Sequence, residues 1–161
     1  MFNIGDKVVY PMHGAGIIES IEEREILGER KQYYVMRMPI GDLKVMVPLQ
    51  SINSIGLREV VDESTVDKVL DRMRNFEEEE TTSWNRRFRA NMDKMKSGDI
   101  YEVAEVVRSL MFRDEEKGLS TGEKKMLDNA RQILISELAL ARDLQAEQVF
   151  ELIDEIISSH T

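Results

Sequence analysis

The spacing of apolar residues changes between residues 55 and 64 of this chain. Before that point, short β-rich runs alternate with turn-forming residues, as in Lys7–Tyr10 followed by the Pro and Gly of residues 11–14. From Ser64 onward, apolar residues recur at i, i+3, i+4 and i+7, which is the period of an amphipathic helix. We therefore expect an α+β protein whose strands come first and whose helices come second.

Four or five short strands are predicted in the first half. The runs cover residues 7–10, 15–21 with a continuation to 26, 31–38 and 43–47. In the last run, Leu43, Val45 and Val47 are expected to point to one side of the sheet. Lys44 and Met46 then point to the other side. Strands this short and this close together predict a small, strongly bent sheet or an open barrel.

The helices of the second half carry recognisable end signals. Ser64 and Asp67 form a candidate cap pair at the start of the first helix. Gly98 is suited to end a helix because it adopts left-handed backbone conformations readily. Ser120 and Glu123 have the spacing of a capping box that opens a long helix. Together these signals predict an all-helical bundle.

The change of period also predicts two domains. The first is expected at residues 1–57 and the second at residues 64–161. Residues 56–63 are expected to join them. An acidic stretch at residues 77–82 is expected to form an exposed loop.

The composition excludes several classes of protein. The chain has 161 residues, a net charge of −9 and no cysteine, so disulfides and thiolate metal sites are ruled out. Short apolar runs and the absence of a secretion-signal pattern predict a cytoplasmic protein without a membrane span. The histidines, His13 in a turn and His160 in the tail, assemble no zinc site and no catalytic pair. We expect no enzymatic activity, no cofactor and no small-molecule substrate.

A basic segment interrupts the acidic second half. Residues 83–96 hold the only tryptophan, Trp84, beside a cluster of basic residues and a single acid, Asp93. The basic residues are Arg86, Arg87, Arg89, Lys94 and Lys96. Such a reversal of charge beside an aromatic ring is typical of contact with a polyanion. Because duplex affinity comes largely from neutralised phosphates, the negative net charge predicts a local contact assisted by a partner.

Two interpretations of this segment remain open. On a helical wheel, one sector holds the apolar residues Trp84, Phe88, Met92 and Met95. In the first interpretation, the helix buries this aromatic face and exposes a solvated basic back. In the second, Trp84 projects from the first turn, where free N–H groups and the helix dipole favour a phosphate.

Motifs spread along the chain resemble one family. They are Phe2-x-x-Gly5-Asp6-x-Val8-Val9-Tyr10-Pro11-x-His13-Gly14, Trp84-x-Arg86-Arg87-Phe88-x-Ala90-Asn91, Ser97-Gly98-Asp99, Val103-Ala104-Glu105-Val106-Val107-Arg108, Gly118-Leu119-Ser120-x-Gly122-Glu123-Lys124 and Ala130-Arg131-Gln132-Ile133-Leu134. The chain resembles the CarD/CdnL family of bacterial transcription regulators over essentially its whole length. The N-terminal motif is also similar to the polymerase-binding module of transcription-repair coupling factors.

The resemblance implies a Tudor-like N-terminal domain that docks on the β subunit of RNA polymerase. It also implies a helical C-terminal domain that contacts promoter DNA, without sequence specificity, at the upstream edge of the transcription bubble. Such a protein stabilises the open promoter complex and is associated with the nucleoid through the polymerase.

Site residues follow from the resemblance position by position. Trp84 matches the family tryptophan that wedges into the minor groove. The basic positions that accompany it are Arg86, Arg87, Arg89 and Lys124. On the polymerase side, Arg24 matches a contact residue, and the last strand contributes Lys44, Met46 and Val47. Met46 departs from the family pattern, since some members carry an arginine there.

A second function class stays open from the sequence. In this alternative the chain is a protein-only adaptor: the β domain binds the polymerase or another sheet edge, and the basic helix only packs. The two functions differ in one observable, because only DNA contact predicts a salt-sensitive gain in affinity for fork-shaped promoter DNA.

Overall fold

The first half of the chain folds into one antiparallel sheet. The computed structural model describes residues 2–75 and 83–159. The strands are β1 (Lys7–Tyr10), β2 (Gly14–Ile26), β3 (Glu29–Arg37), β4 (Lys44–Pro48) and β5 (Arg58–Glu59). Their order across the sheet is β4-β3-β2-β1-β5, and every neighbouring pair is antiparallel. The prediction of a small sheet ahead of the helices is confirmed.

Alternation of side chains gives this sheet an apolar face. Val8, Ile18, Tyr34, Met36 and Val47 are buried together in one cluster. A register shift between residues 18 and 20 marks a β-bulge, which bends the long strand β2. The sheet therefore curves around its own small core.

The orientation predicted for β4 is right for the strand and wrong for the residue before it. Val47 is buried, whereas Lys44 and Met46 are exposed on the opposite face. Leu43 was expected to lie within the strand and to point to the same side as Val47, but it precedes the strand and is exposed. Strand alternation does not apply to a residue that lies outside the strand.

The second half is helical. After a 3₁₀ turn at Leu49–Ser51, the helices are α1 (Ile52–Ile55), α2 (Glu63–Arg74), α3 (Trp84–Ser97), α4 (Ile100–Lys117), α5 (Thr121–Arg142) and α6 (Ala146–Ser158). Helix α5 is central, because it packs against α2, α3, α4, α6 and strand β2. The predicted helical bundle and the α+β class are confirmed. The expected loop at residues 77–82 and His160 lie outside the described residues.

Helix ends agree with the sequence at Gly98 and differ from it at the start of α2. Gly98 caps α3 with φ at 73°, and Pro11 lies only 3.1 Å from where a Cβ of Gly98 would stand. At α2 the cap is Asp62 and not Ser64, because the Asp62 carboxylate accepts the backbone N–H of Thr65 at 2.9 Å. The hydrogen bond from the Thr65 hydroxyl lowers the pKa of Asp62. Hydrogen bonds from the Thr65 backbone N–H and the Ser64 hydroxyl lower it further.

The join between the halves is a structured part of the fold. Residues 58–59, expected to belong to a connection, pair with β1 as strand β5. The Arg58 guanidinium binds the buried Glu137 carboxylate through two contacts, at 2.7 and 2.8 Å. It also donates to the carbonyl of Gly98, and Glu137 accepts the N–H of Val61 at 3.1 Å. Removing one partner of such a buried pair costs about 3–5 kcal/mol.

A second contact fixes the sheet directly on α5. The backbone N–H of Ala15 donates to the Ser136 hydroxyl at 2.9 Å, in a buried position. Gly14, with φ at 115°, lies so close that a Cβ there would stand 3.0 Å from the same hydroxyl oxygen. The sheet and the helices therefore meet through buried and partly buried hydrogen bonds and not through a loose tether.

Candidate nucleic-acid interface

Trp84 is the first residue of helix α3. The Ser83 side chain caps the helix by accepting the N–H of Arg86, and the backbone turns into the helix at that point. As the first helical residue, Trp84 lies at the end of α3 where the first N–H groups lack partners within the helix and where the dipole is positive.

The apolar stripe of α3 leaves the core as it approaches Trp84. Met95 is buried, Met92 and Phe88 are partly buried, and Trp84 is 42% exposed. Each of the two interpretations from the sequence therefore describes one end of the same helix. The C-terminal end anchors α3 in the bundle, and the N-terminal end presents an indole to solvent.

The exposed indole is held on one face and at its edge. Its ring stacks on Phe88 with a centroid distance of 4.9 Å and an interplanar angle of 16°. The indole Nε1 donates to the Ser120 hydroxyl and to the Glu123 carboxylate, each at 3.1 Å. Gly122 lies beneath the stack, where an added Cβ would be 3.5 Å from Phe88. The ring is exposed and yet has a defined orientation.

Glu123 is the centre of this arrangement. Its carboxylate is 2% exposed and accepts the Arg87 Nε at 3.0 Å, in addition to the indole N–H. Burial raises the pKa of Glu123, but the hydrogen bond and charge of Arg87, the charge of Arg113 and the Ser120 amide together lower it below its ordinary value. The carboxylate is therefore ionised at neutral pH, and Arg87 compensates its charge.

The basic residues of the segment separate into two groups. Arg86, Arg89 and Lys124 are exposed, and none of them forms an ion pair with a described residue. Arg87 points inward, because its guanidinium binds Glu123 and its side chain is only 13% exposed. Lys94 pairs with Glu105 at 3.2 Å. The predicted contact residues thus differ in how much of their charge faces solvent.

A shallow groove runs along α3 next to the indole. It encloses about 270 Å³ and is lined by Trp84, Asn85, Phe88, Arg89, Met92, Asp93 and Lys96. The lining combines two aromatic rings with the basic residues Arg89 and Lys96 and one acid, Asp93. Aromatic rings can stack on bases, and the two basic side chains can contact phosphates.

Glu123 and Ser120 were assigned only as helix-capping residues from the sequence. Ser120 does cap α5, since its hydroxyl accepts the N–H of Glu123 at 3.2 Å. The role of both residues in holding Trp84 depends on a contact across 36 to 39 positions of the chain. The available signal was an acidic residue, Glu123, in the first turn of a predicted helix. The sequence does not indicate that this turn lies against α3.

The residues predicted on the sheet lie on β2 and β4. Arg24 is exposed and donates to Glu22 at 2.9 Å, and Lys44 pairs with Glu19 at 3.1 Å. Strand β4 is an edge strand of the described sheet, with Met46 exposed on it. Val47 is fully buried, so only its main chain is available to a partner.

Other kinds of site are not found in the described part of the chain. Residues 2–75 and 83–159 contain no cluster of three or more His, Asp or Glu side chains arranged to hold a metal ion. No helix within those residues has the length and apolar character needed to cross a membrane. His13 packs its ring against Tyr10, with centroids 4.2 Å apart.

Known proteins match both halves of the chain. Residues 68–154 match the family described as "CarD, C-terminal domain", and residues 2–61 match the "CarD-like/TRCF RID domain". A protein of Bacillus subtilis (strain 168) named "Putative transcription factor YdeB" is 48% identical over 149 residues, which cover 92% of this chain and 97% of that protein. The solved structure "CdnLNt from Myxoccoccus xanthus" is 40% identical, covers 39% of this chain and 89% of its own, and has a TM-score of 0.34.

Proposed function

Because this chain belongs to the CarD/CdnL family of transcription factors, we propose that it acts at promoters with RNA polymerase. In this proposal the sheet binds the polymerase β subunit, in the cytoplasm and on the nucleoid. The helical half then contacts DNA at the upstream edge of the bubble and stabilises the open complex. The observation that carries the proposal is an indole that is 42% exposed and yet held by a stack and two hydrogen bonds.

A fixed ring suits a wedge between base steps. Unstacking one step of a duplex costs on the order of a few kcal/mol, which contacts with the bent or opened DNA must offset. Ordering a mobile side chain on binding costs a further ~0.5–1.5 kcal/mol. The hydrogen bonds of Trp84 to Ser120 and Glu123 remove most of this second cost, because the ring is ordered before DNA arrives.

Phosphate contacts are assigned to the basic residues that face solvent. Arg86 and Arg89 lie two and five residues beyond Trp84 on α3, and Lys124 follows Glu123 on α5; all three carry unpaired charge within the described chain. Arg87 supports them indirectly: it neutralises Glu123, whose negative charge would otherwise repel a phosphate. None of these contacts requires a particular base, which agrees with binding without sequence specificity.

The acidic net charge is compatible with this function when the polymerase holds the protein. A tether raises the effective concentration of DNA near the indole, so that a weak local contact is occupied. A preference of about 1.4 kcal/mol for the melted state raises the open population about tenfold relative to the closed one. One wedge and a few phosphate contacts suffice for that preference.

On the polymerase side, strand β4 offers main-chain groups and Arg24 offers a charge. An edge strand extends a partner sheet through backbone hydrogen bonds, in which Val47 takes part without exposing its side chain. Met46 adds an apolar contact where some relatives have an arginine. Lys44 and Arg24 each have an acidic neighbour, and both remain more than half exposed.

Open-complex lifetime with the cognate polymerase tests the proposal. We expect Trp84→Ala to shorten that lifetime to nearly the value without the protein, while polymerase binding is unchanged. Phe150→Ala is the matched control, because Phe150 is an aromatic residue with the same exposure of 42% on α6. Equal lifetimes with the wild type and Trp84→Ala would contradict the wedge.

The protein-only adaptor is favoured by one observation, the internal bonding of Trp84 and Arg87 to Glu123. It predicts that added protein leaves the salt dependence of polymerase binding to fork-shaped DNA unchanged. The proposed function predicts a steeper dependence, since each neutralised phosphate adds about 0.9 to the slope of log affinity against log salt.

A further inference from the structure

The hairpin of β2 and β3 extends beyond the rest of the sheet. Strand β1 pairs with β2 only over residues 14–17, and β4 pairs with β3 only over residues 33–37. Residues 23–26 and 29–32 therefore pair only with each other among the described residues. The hairpin projects as a two-stranded ribbon whose end belongs to none of the buried apolar clusters of the described chain.

The end of this hairpin is a two-residue turn with an unfavourable residue in it. Ile26 pairs with Glu29, and the turn residues Leu27 and Gly28 have φ values of 54° and 80°. Positive φ at both positions defines the type I′ family of hairpin turns, in which Asn, Asp or Gly normally occupies the first position. A leucine is strained there because its side chain crowds the left-handed backbone.

Leu27 is also the most exposed large apolar residue described. Its exposure is 100%, and that of its neighbour Ile26 is 53%. Three other non-glycine residues of the described chain have positive φ: Asp42, Asp143 and Met12. The two aspartates are of the favoured type, and Met12 packs against the helical core. Leu27 has neither advantage, so neither its backbone conformation nor its packing against the described residues accounts for a leucine at this position.

The charges around the turn indicate what kind of partner it meets. Three ion pairs along the ribbon, Glu22 with Arg24, Glu23 with Arg30 and Glu29 with Lys31, balance most of its charge. Such a mixed surface has no net attraction for nucleic acid or for an anionic membrane. An apolar end surrounded by balanced charges fits an apolar pocket on a protein.

We infer that Leu27, with Ile26 beside it, inserts into an apolar pocket of RNA polymerase and anchors the sheet there. The inference rests on the proposed function, because it places this anchor in the same interface as Arg24. Arg24 lies three residues from Leu27 on the same ribbon, roughly 10 Å along the strand. The strain at Leu27 is retained because the partner, and not the fold, requires an apolar side chain at the turn.

Substituting Leu27 with asparagine is expected to affect stability and polymerase binding differently. Leu27→Asn creates an Asn-Gly turn, so the melting temperature should stay the same or rise. Binding to immobilised RNA polymerase core enzyme should weaken at least tenfold. Leu27→Met keeps an apolar side chain and should retain most of the affinity. Ile4→Asn is the control, because Ile4 is an aliphatic residue with 62% exposure elsewhere in the sheet half.

Each outcome of this experiment decides the inference. If the wild type fails to bind the polymerase, the proposed function fails and the anchor with it. If the wild type binds and Leu27→Asn binds equally well, the anchor alone is wrong. A lower melting temperature of Leu27→Asn would make Leu27 a structural residue and overturn the inference. So would sedimentation showing that Leu27 holds two copies of the chain together.

Discussion

Helices α3 and α6 present aromatic residues of equal exposure in opposite electrostatic surroundings. Trp84 and Phe150 are each 42% exposed. Helix α3 has five basic residues and one acidic residue, Asp93, whereas α6 has four acidic residues and no basic one: Glu147, Glu151, Asp154 and Glu155. The cation next to Phe150 is Arg131 of α5, 5.5 Å from the ring centroid.

The comparison teaches that exposure alone does not mark a site. Phe150 ends at a carbon edge and has no hydrogen-bonding group to fix it. The indole N–H of Trp84 is such a group, and it donates hydrogen bonds to Ser120 and Glu123. A ring that is both exposed and oriented, within a basic field, is suited to DNA. An exposed ring on an acidic helix is not, because phosphates are repelled there.

The largest expected effect comes from removing Glu123, the group that orients the indole. Glu123→Ala leaves the Arg87 guanidinium without its partner in a poorly solvated position. We expect a loss of about 3–5 kcal/mol in the free energy of unfolding, as for other broken buried pairs. Chemical denaturation measures the loss.

Glu123→Gln provides the matched comparison for that variant. It keeps an acceptor for the indole N–H and should lose less stability than the alanine variant. Trp84 is the only tryptophan of the chain, so its fluorescence emission reports directly on the held ring. A red-shifted emission is expected for Glu123→Ala. Unchanged emission and stability in Glu123→Ala would show that Glu123 does not hold the indole. Trp84 would then not differ from Phe150 in being held by this carboxylate.

A second test neutralises the charges that distinguish α3 from α6. Arg86→Gln with Arg89→Gln should weaken binding of polymerase-held protein to fork-shaped promoter DNA. The salt slope should fall by about 1.8, on the basis of roughly 0.9 for each phosphate contact. The paired control on α6, Glu147→Gln with Glu151→Gln, should leave the slope unchanged. Equal effects of the two double variants would mean that only overall charge matters.

The pH dependence of stability provides a smaller test. The pKa of Glu123 is lower in the folded chain than its ordinary value, so its contribution to stability is fully present above the unfolded pKa of about 4.3. That contribution is lost as the pH falls through the folded pKa. Glu123→Gln should therefore flatten the acid limb of stability against pH, measured by thermal unfolding between neutral and acidic pH. Phe150→Ala should leave the acid limb unchanged.

The smallest expected effect is at Gly122, beneath the indole stack. An added Cβ would meet Phe88 at 3.5 Å and Trp84 at 3.8 Å, which are ordinary contact distances. Gly122→Ala should change the free energy of unfolding by roughly 0 to 1 kcal/mol in the stabilising direction, because alanine favours a helix. Thermal unfolding measures it. A clear destabilisation would show that the stack has less room than its geometry indicates.

The sequence predicts the local features of this molecule well. Gly98 and Ser120 were correctly assigned as helix-end residues, because capping depends on side chains and amides within a few positions. The basic helix and its apolar stripe follow equally from spacing. A helical wheel predicts the side of the helix on which Trp84 lies. It does not predict how far the side chain is buried, so both interpretations stayed open from the sequence.

Contacts between distant residues account for what was missed. The partner of Arg87 lies 36 positions away, and that of Arg58 lies 79 positions away. No local pattern reports these pairs, since they depend on how α5 packs. The start of α2 was misplaced for a different reason. Residues 62–67 include several side chains able to cap a helix, and only the backbone conformation selects Asp62.

The hydrogen bond from Arg58 to the carbonyl of Gly98 has a geometric consequence for the proposed complex of this protein with polymerase and promoter DNA. It attaches the tail of α3 to the same strand layer that is proposed to grip the polymerase. In the proposed complex, the distance from the polymerase surface to the indole would therefore be fixed. The indole would then contact the upstream edge of the bubble at the same distance from the polymerase at every promoter, whatever the local base sequence.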